Sequence, residues 1–328
     1  MPDFSAAAAL AVLPTIWADR QSALHPAGGR AAFAAEAAWA LFAGGALIFL
    51  LVLIALAVAL YGPPAWRRRV SGHAMVMGAG IVFPVVVLSA LLVYSLGLAA
   101  AMLRSEPPAA ARIEIMGEMW WWRVRYLDQD GHVLFETANE IRIPVGQPVD
   151  LLLGSENVVH SFWVPNLAGK LDMVPGRINR LRIQADVAGR YRGQCAEFCG
   201  AQHAKMMFDV QALSAPAFQA WQQAQQQPGA APPVAAPQLR QGQQIFLQAC
   251  AQCHTVRGTR AAGRQGPDLT HVGSRLSLAS GVLPNNVGTL AGWIAGSQHI
   301  KPGNGMPAFN QLSGTQLRAV ARYLENLQ

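Results

Sequence analysis

The chain has 328 residues, 52% of them hydrophobic and only 13% charged, and its net charge is +7. High apolar content with low charge describes a membrane protein with soluble parts, and the length allows about two or three domains. The four cysteines, Cys195, Cys199, Cys250 and Cys253, all fall in motifs, which excludes a disulfide framework.

Residues 1–36 form an N-terminal segment. Its apolar run Ala6–Trp17 has the size of a signal h-region, but no Lys or Arg precedes it. Ala37 to Tyr61 carries no charge, and at about 1.5 Å per residue it crosses a hydrocarbon core of about 30 Å. A second uncharged run, Ala74–Leu103, contains Pro84, where a kink is expected. Residues 37–103 therefore read as a transmembrane hairpin. Its connecting loop holds Arg67, Arg68 and Arg69, which makes the loop cytoplasmic and sends everything after Leu103 to the outer side.

Residues 104–226 change to a strand pattern. Ile113-Glu114-Ile115, Ile141-Arg142-Ile143 and Leu181-Arg182-Ile183-Gln184 alternate as half-buried strands do. Asp130-Gly131 reads as a hairpin turn, and short strands at this density predict a sandwich or barrel. In Trp120-Trp121-Trp122, alternation puts Trp120 and Trp122 on one face and Trp121 on the other.

Within Tyr191–Met206 the residues Cys195, Glu197, Cys199, His203 and Met206 are closely spaced. Two thiolates, an imidazole and a thioether select copper, zinc or iron–sulfur over magnesium or calcium. Gly193 and Gly200 favour a ligand loop over a helix. A tetrahedral zinc site needs only Cys195, Cys199, His203 and one more histidine. Met206 argues for copper, because thioether is a rare zinc ligand.

A Pro- and Ala-rich linker, residues 227–237, leads to a last domain, residues 238–328. There Cys250-Ala251-Gln252-Cys253-His254 is the c-type haem attachment motif. Cys250 and Cys253 would form thioethers to the porphyrin, and His254 would be the proximal iron ligand. The histidine directly after the second cysteine, without a βαβ pattern, separates it from a thioredoxin-like CxxC. This domain has eight Lys and Arg against only Asp268 and Glu325. Basic modules suit nucleic acid, but the haem motif makes an acidic protein or an anionic membrane surface the expected partner, and no nucleic acid.

The loop YRGQCAEFCGAQHAKM, with NVVHSFWVPNLAGKLDMVPGRIN before it, resembles the binuclear copper (Cu-A) region of cytochrome c oxidase subunit II, over roughly residues 21–215. Gly266-Pro267-Asp268-Leu269 and Lys301-Pro302-Gly303-Asn304-Gly305-Met306-Pro307 resemble the proximal and distal loops of a class I cytochrome c. The whole is similar to subunit II of a caa3-type haem–copper oxidase with a cytochrome c domain fused at its C-terminus.

The resemblance implies a multidomain fold: a two-helix membrane hairpin, a cupredoxin-like β-barrel and an all-α class I cytochrome c. It implies Cys195 and Cys199 as bridging thiolates and His160 and His203 as terminal imidazoles. Met206 would be the weak thioether ligand, and Glu197 would ligate through its carbonyl, its carboxylate reaching a magnesium ion shared with subunit I. Trp120 matches the residue of electron entry, and Trp121 replaces the usual tyrosine. Lys170, Asp172 and Arg177 match a segment that faces subunit I. Met306 is expected as the sixth haem ligand ahead of His271 and His299. A His/Met pair fills both axial sites and suits electron transfer.

The implied role is transfer of electrons from a cytochrome c or other donor, through haem c and Cu-A, to the oxygen-reducing centre of subunit I. The implied location is the bacterial inner membrane, with both soluble domains outside. The same wiring would serve a nitric oxide reductase, and a zinc-stapled anchor for a cytochrome c is the alternative of another class. Arg20 stands where many relatives bear a lipid-modified cysteine, so no lipid anchor is expected; cleavage of residues 1–20 is left open. Met77 replaces the family's proton-entry glutamate on the second helix, and His73, one turn away, is the expected substitute.

Overall fold

The computed structural model describes residues 21–102, 107–233 and 235–328. The apolar run Ala6–Trp17, Arg20 and Leu103 lie outside them. The chain divides into two compact units, one of which is residues 32–107.

Helix α1 (Gly29–Tyr61), most of which lies in that unit, is followed by the short α2 (Pro64–Val70), which occupies what the sequence presents as a loop. Proline in the first turn and Arg67, Arg68 and Arg69 in the last match what each helix end favours. The second apolar run is α3 (His73–Met77), a π-helical turn (Gly78–Val82) and α4 (Phe83–Met102). Proline lacks an N–H and crowds the carbonyl four residues back; for Pro84 that residue is Gly80, inside the wide turn. His73 and Met77 are the ends of α3. The two apolar stretches are long enough to cross a membrane, and their apolar windows bury nothing within the chain.

The β domain is two five-stranded sheets. One runs β3-β2-β1-β5-β8: Val133–Ala138, Trp121–Leu127, Ala111–Glu118, Val149–Ser155 and Asn179–Ile183. The other runs β4-β10-β9-β6-β7: Glu140–Pro144, Met207–Leu213, Gly189–Cys195, His160–Trp163 and Leu171–Met173. The alternating residues Ile113, Ile115, Ile141 and Ile143 are all buried in the core between them. Gly131, with φ +91°, makes the turn joining β2 to β3. On β8 the alternation misleads: Arg182 is buried too, because Asp150, its partner across the sheet, pairs with it at 2.7 Å.

Trp120 departs from the strand reading. It sits in the turn between β1 and β2, so the pleat does not set its direction. Trp122 is fully buried against Phe162 and Phe208, and Trp121 lies under the Arg123 guanidinium at 4.7 Å.

Helix α5 (Ala215–Gln226) packs Phe218 and Trp221 on Tyr126. The following coil is tied down rather than free: Gln227 O accepts from the His271 ring at 3.1 Å, and Gly229 N donates to Arg257 O at 2.9 Å. The C-terminal domain is built on α6 (Pro237–Ala249), α7 (Val287–Ile300) and α8 (Gly314–Glu325). Helices α6 and α8 meet at Gly242, where a Cβ would come within 2.1 Å of Ala319 O, so only glycine permits the approach. Ser313 and Gln316 form a capping box at the start of α8, and Val320 and Leu324 are buried along its inner face.

Candidate metal and haem centres

Three strand ends gather the soft donors. His160 opens β6, Cys195 closes β9, and Met206 immediately precedes β10; these strands are neighbours in one sheet. The loop between β9 and β10 is pinned at both ends. Cys195 N donates to Met206 O at 2.9 Å, and Ala196 N donates to Ser161 O at 3.0 Å. Gly117 on β1 leaves room for His160, since a Cβ there would lie 2.7 Å from the imidazole.

The donor atoms form a string. His160 Nδ1 is 3.7 Å from Cys195 Sγ, Cys195 Sγ is 3.7 Å from Cys199 Sγ, and Cys199 Sγ is 3.7 Å from His203 Nδ1 and 3.8 Å from Met206 Sδ. Glu197 O lies 3.2 Å from Cys195 Sγ. Two donors on one tetrahedral ion, each about 2.0–2.3 Å away, stand about 3.4–3.8 Å apart. Each neighbouring pair therefore has the spacing of shared ligation. A single ion would draw all its donors together, but the ligand atoms that lie mutually within 4.8 Å are those of His160, Cys195 and Cys199, without His203. The string, with two thiols at its middle, fits two ions better than one.

His160 Nε2 is 3.2 Å from Asn157 Oδ1, which directs Nδ1 toward Cys195. The hydrogen bond between the two thiols lowers the pKa of Cys195 and raises that of Cys199. The Glu197 carboxylate faces Lys170 Nζ at 3.3 Å, and Lys170 also meets Asp172 at 3.1 Å.

A second site lies in the helical domain. A cavity of about 640 Å³ is lined by Cys250, Cys253, His254 and Met306, among others. His254 Nδ1 donates to Pro267 O at 2.8 Å, leaving Nε2 as the ligating atom. Burial lowers the His254 pKa and so keeps the ring neutral. The Met306 carbonyl accepts from Ser297 Oγ at 2.8 Å and Gln298 Nε2 at 2.7 Å, which ties the distal loop to α7. Arg275, which the sequence offers only as one of the basic residues of this domain, also lines the cavity, and its buried Nε has no partner. A group with anionic substituents, as haem is, would answer that N–H. His271 and His299 do not line the cavity.

Glu118, Met119, Trp120 and Trp121 of the β domain complete the cavity wall. The Trp120 indole Nε1–H donates to Cys199 O at 2.8 Å, its ring lies against Gly303, and its carbonyl accepts from Ser280 Oγ at 3.0 Å. The two candidate centres are thus joined through one side chain.

The fold and its sites define a cupredoxin-like β domain with a cluster of soft metal donors, joined to a helical domain of the cytochrome c kind and preceded by two helices long and apolar enough to cross a membrane. The family model described as cytochrome c oxidase subunit II, periplasmic domain, matches residues 123–213, and the cytochrome c model matches residues 239–328. Over these residues the chain is similar to cytochrome c oxidase subunit II and, after it, to cytochrome c. Cytochrome c oxidase subunit 2 of Alkalihalophilus pseudofirmus is 38% identical over 220 residues, covering 66% of this chain and 61% of that protein. The Bacillus subtilis subunit 2 is 28% identical over 301 residues, covering 86% and 83%. The chain spans about three fifths of the first of these relatives. The solved periplasmic domain of subunit II from Bradyrhizobium japonicum is 28% identical, covering 36% of this chain and 95% of its own, with a TM-score of 0.34.

Proposed function

We propose that this chain is the electron-transfer subunit of an aerobic terminal oxidase. It accepts electrons from an external cytochrome c or comparable donor at its helical domain and delivers them from its copper loop to subunit I, where oxygen becomes water. The hairpin anchors it in the bacterial inner membrane, with Arg67–Arg69 cytoplasmic and both soluble domains on the outer side.

His160, Cys195, the Glu197 carbonyl, Cys199, His203 and Met206 would hold a binuclear copper centre. Cys250 and Cys253 would bind haem covalently, with His254 and Met306 as axial ligands. When bound, these groups take up and release single electrons. The Glu197 carboxylate, exposed beside Lys170, would reach a magnesium ion at the border with subunit I. Lys170, Asp172 and Arg177 would belong to that border, and His73 would aid proton uptake on the cytoplasmic side.

The observation that carries the reading is Trp120. Its indole lines the cavity of His254 and Met306 and is hydrogen-bonded to the backbone of Cys199. This supports it as the residue of electron entry to copper. The test is metal and haem analysis of the copurified complex. The expected result is two coppers and one covalent haem per chain, with turnover of oxygen. One zinc per chain, or turnover of nitric oxide in place of oxygen, overturns it. For His73, wild-type turnover of His73→Ala across neutral to alkaline pH removes its role.

A further inference from the structure

The loop that carries Met306 also carries a lysine to which the electron-transfer reading gives no part. Lys301 is 3% exposed. An ammonium buried this far is unfavourable unless its N–H groups are answered. Its three donors meet three backbone carbonyls: Trp120 O at 2.5 Å, Lys205 O at 3.0 Å and Ala279 O at 3.4 Å. Burial nevertheless brings its pKa down to about 7.

The origin of the carbonyls is informative. Ala279 belongs to the haem domain. Trp120 is the residue between the two centres, and Lys205 stands between His203 and Met206 in the copper loop. The contact is returned from the other side. Lys205 Nζ donates to Ile300 O at 2.7 Å, and Gln202 Nε2 donates to Pro302 O at 2.8 Å. Residues 202–205 of the copper loop and 300–302 of the haem loop are therefore stitched together by side chains that each grip the other segment's backbone. Backbone acceptors have fixed positions, so these bonds set register as well as contact. A compact three-donor ammonium suits a cage of three carbonyls; the planar fork of arginine does not.

We propose that Lys301 is a positioning residue: a clasp that holds the distal haem loop on Trp120 and the copper loop, and so sets the gap that electrons cross within the chain. The proposal rests on the electron-transfer reading. It makes the fused haem domain a docked donor, held in one orientation, and not one that swings on its linker.

The test uses the intact oxidase complex with Lys301→Met, which keeps the apolar stem and removes all three donors. Three readouts are taken: flash-induced haem-to-copper electron transfer, amide hydrogen exchange over residues 202–206 and 300–305, and copper and haem content with visible spectra. The expected result is transfer slowed about tenfold or more, as small misplacements of reacting groups do. Exchange rises in both segments together, while metal content and haem spectrum stay unchanged. An unchanged rate overturns the clasp. So does faster exchange confined to 300–305 with an altered haem spectrum, which would make Lys301 a support for Met306 alone. If Lys301→Met does not assemble, Lys205→Met removes the reciprocal bond from the copper side. The same paired rise in exchange and slower transfer are then expected, and wild-type behaviour overturns the proposal. Absence of haem-to-copper transfer in the unmodified complex would instead remove the underlying reading.

Discussion

The Trp120 indole nitrogen and the Cys199 carbonyl, 79 residues apart in sequence, are hydrogen-bonded at 2.8 Å. The bond fastens the β1–β2 turn to the loop between β9 and β10, and Cη2 of the same ring is 3.7 Å from where a Cβ on Gly303 would stand. Trp120→Ala should slow haem-to-copper electron transfer about tenfold or more while copper content changes little. Trp121→Ala should do less, because Trp121 lines the cavity but has its ring under Arg123. Flash-induced transfer in the two variants checks the order; a larger effect from Trp121 would reverse the assignment.

Cys199→Ser should remove copper and leave the haem attached. Cys199 is central to the donor string, within 3.8 Å of Cys195, His203 and Met206. Cys250 packs against a separate core, and Cys253 and His254 follow it in the same helical domain. Near-infrared and visible spectra of one preparation decide it, since loss of both signals would mean that the centres are not independent.

Gly117→Ala should disturb copper binding from a strand that supplies no ligand. The added methyl would stand 2.7 Å from the His160 ring. Either β1 or the imidazole must move, at a cost of about 1–3 kcal/mol. The expected outcome is a lower copper occupancy and a lower thermal midpoint, with the haem spectrum unchanged.

Asp150→Asn should destabilise the β domain by about 3 kcal/mol near pH 7, because it leaves Arg182 buried without its counter-charge. Burial raises the Asp150 pKa, but the hydrogen bonds from Arg182 and Arg180 outweigh it, and the net shift is downward. A carboxyl lowered on folding stabilises above its unfolded value, about 3.9, and loses that contribution as pH falls through its lower folded value. The wild type and the variant should therefore converge in stability in strong acid. Thermal unfolding followed across pH tests this, and a gap that persists at the lowest pH would contradict it.

Much of this protein was legible in local pattern. The apolar runs of the hairpin, the alternating isoleucines of β1 and β4, the Ser313–Gln316 capping box and both cysteine motifs depend on near neighbours in sequence. Periodicity and short spacings express such relations directly. Local pattern also misled in places. Alternation assigned Trp120 to a strand face although it occupies a turn, and it made Arg182 an outer-face residue although Asp150 across the sheet lets it be buried. The linker composition gave a semi-extended tether, and it did not show that Gln227 and Gly229 are bonded to the C-terminal domain.

What only the tertiary structure decided are contacts between distant segments. The order of the donors from His160 to His203 depends on three strand ends meeting in one sheet. The unpartnered N–H of Arg275 depends on a cavity that closes only on folding. The placement of Lys301 needs Trp120, Lys205 and Ala279 to converge on one ammonium. Its acceptors are backbone carbonyls, which every residue carries, so no side-chain identity in the sequence marks them; only their positions in space distinguish them.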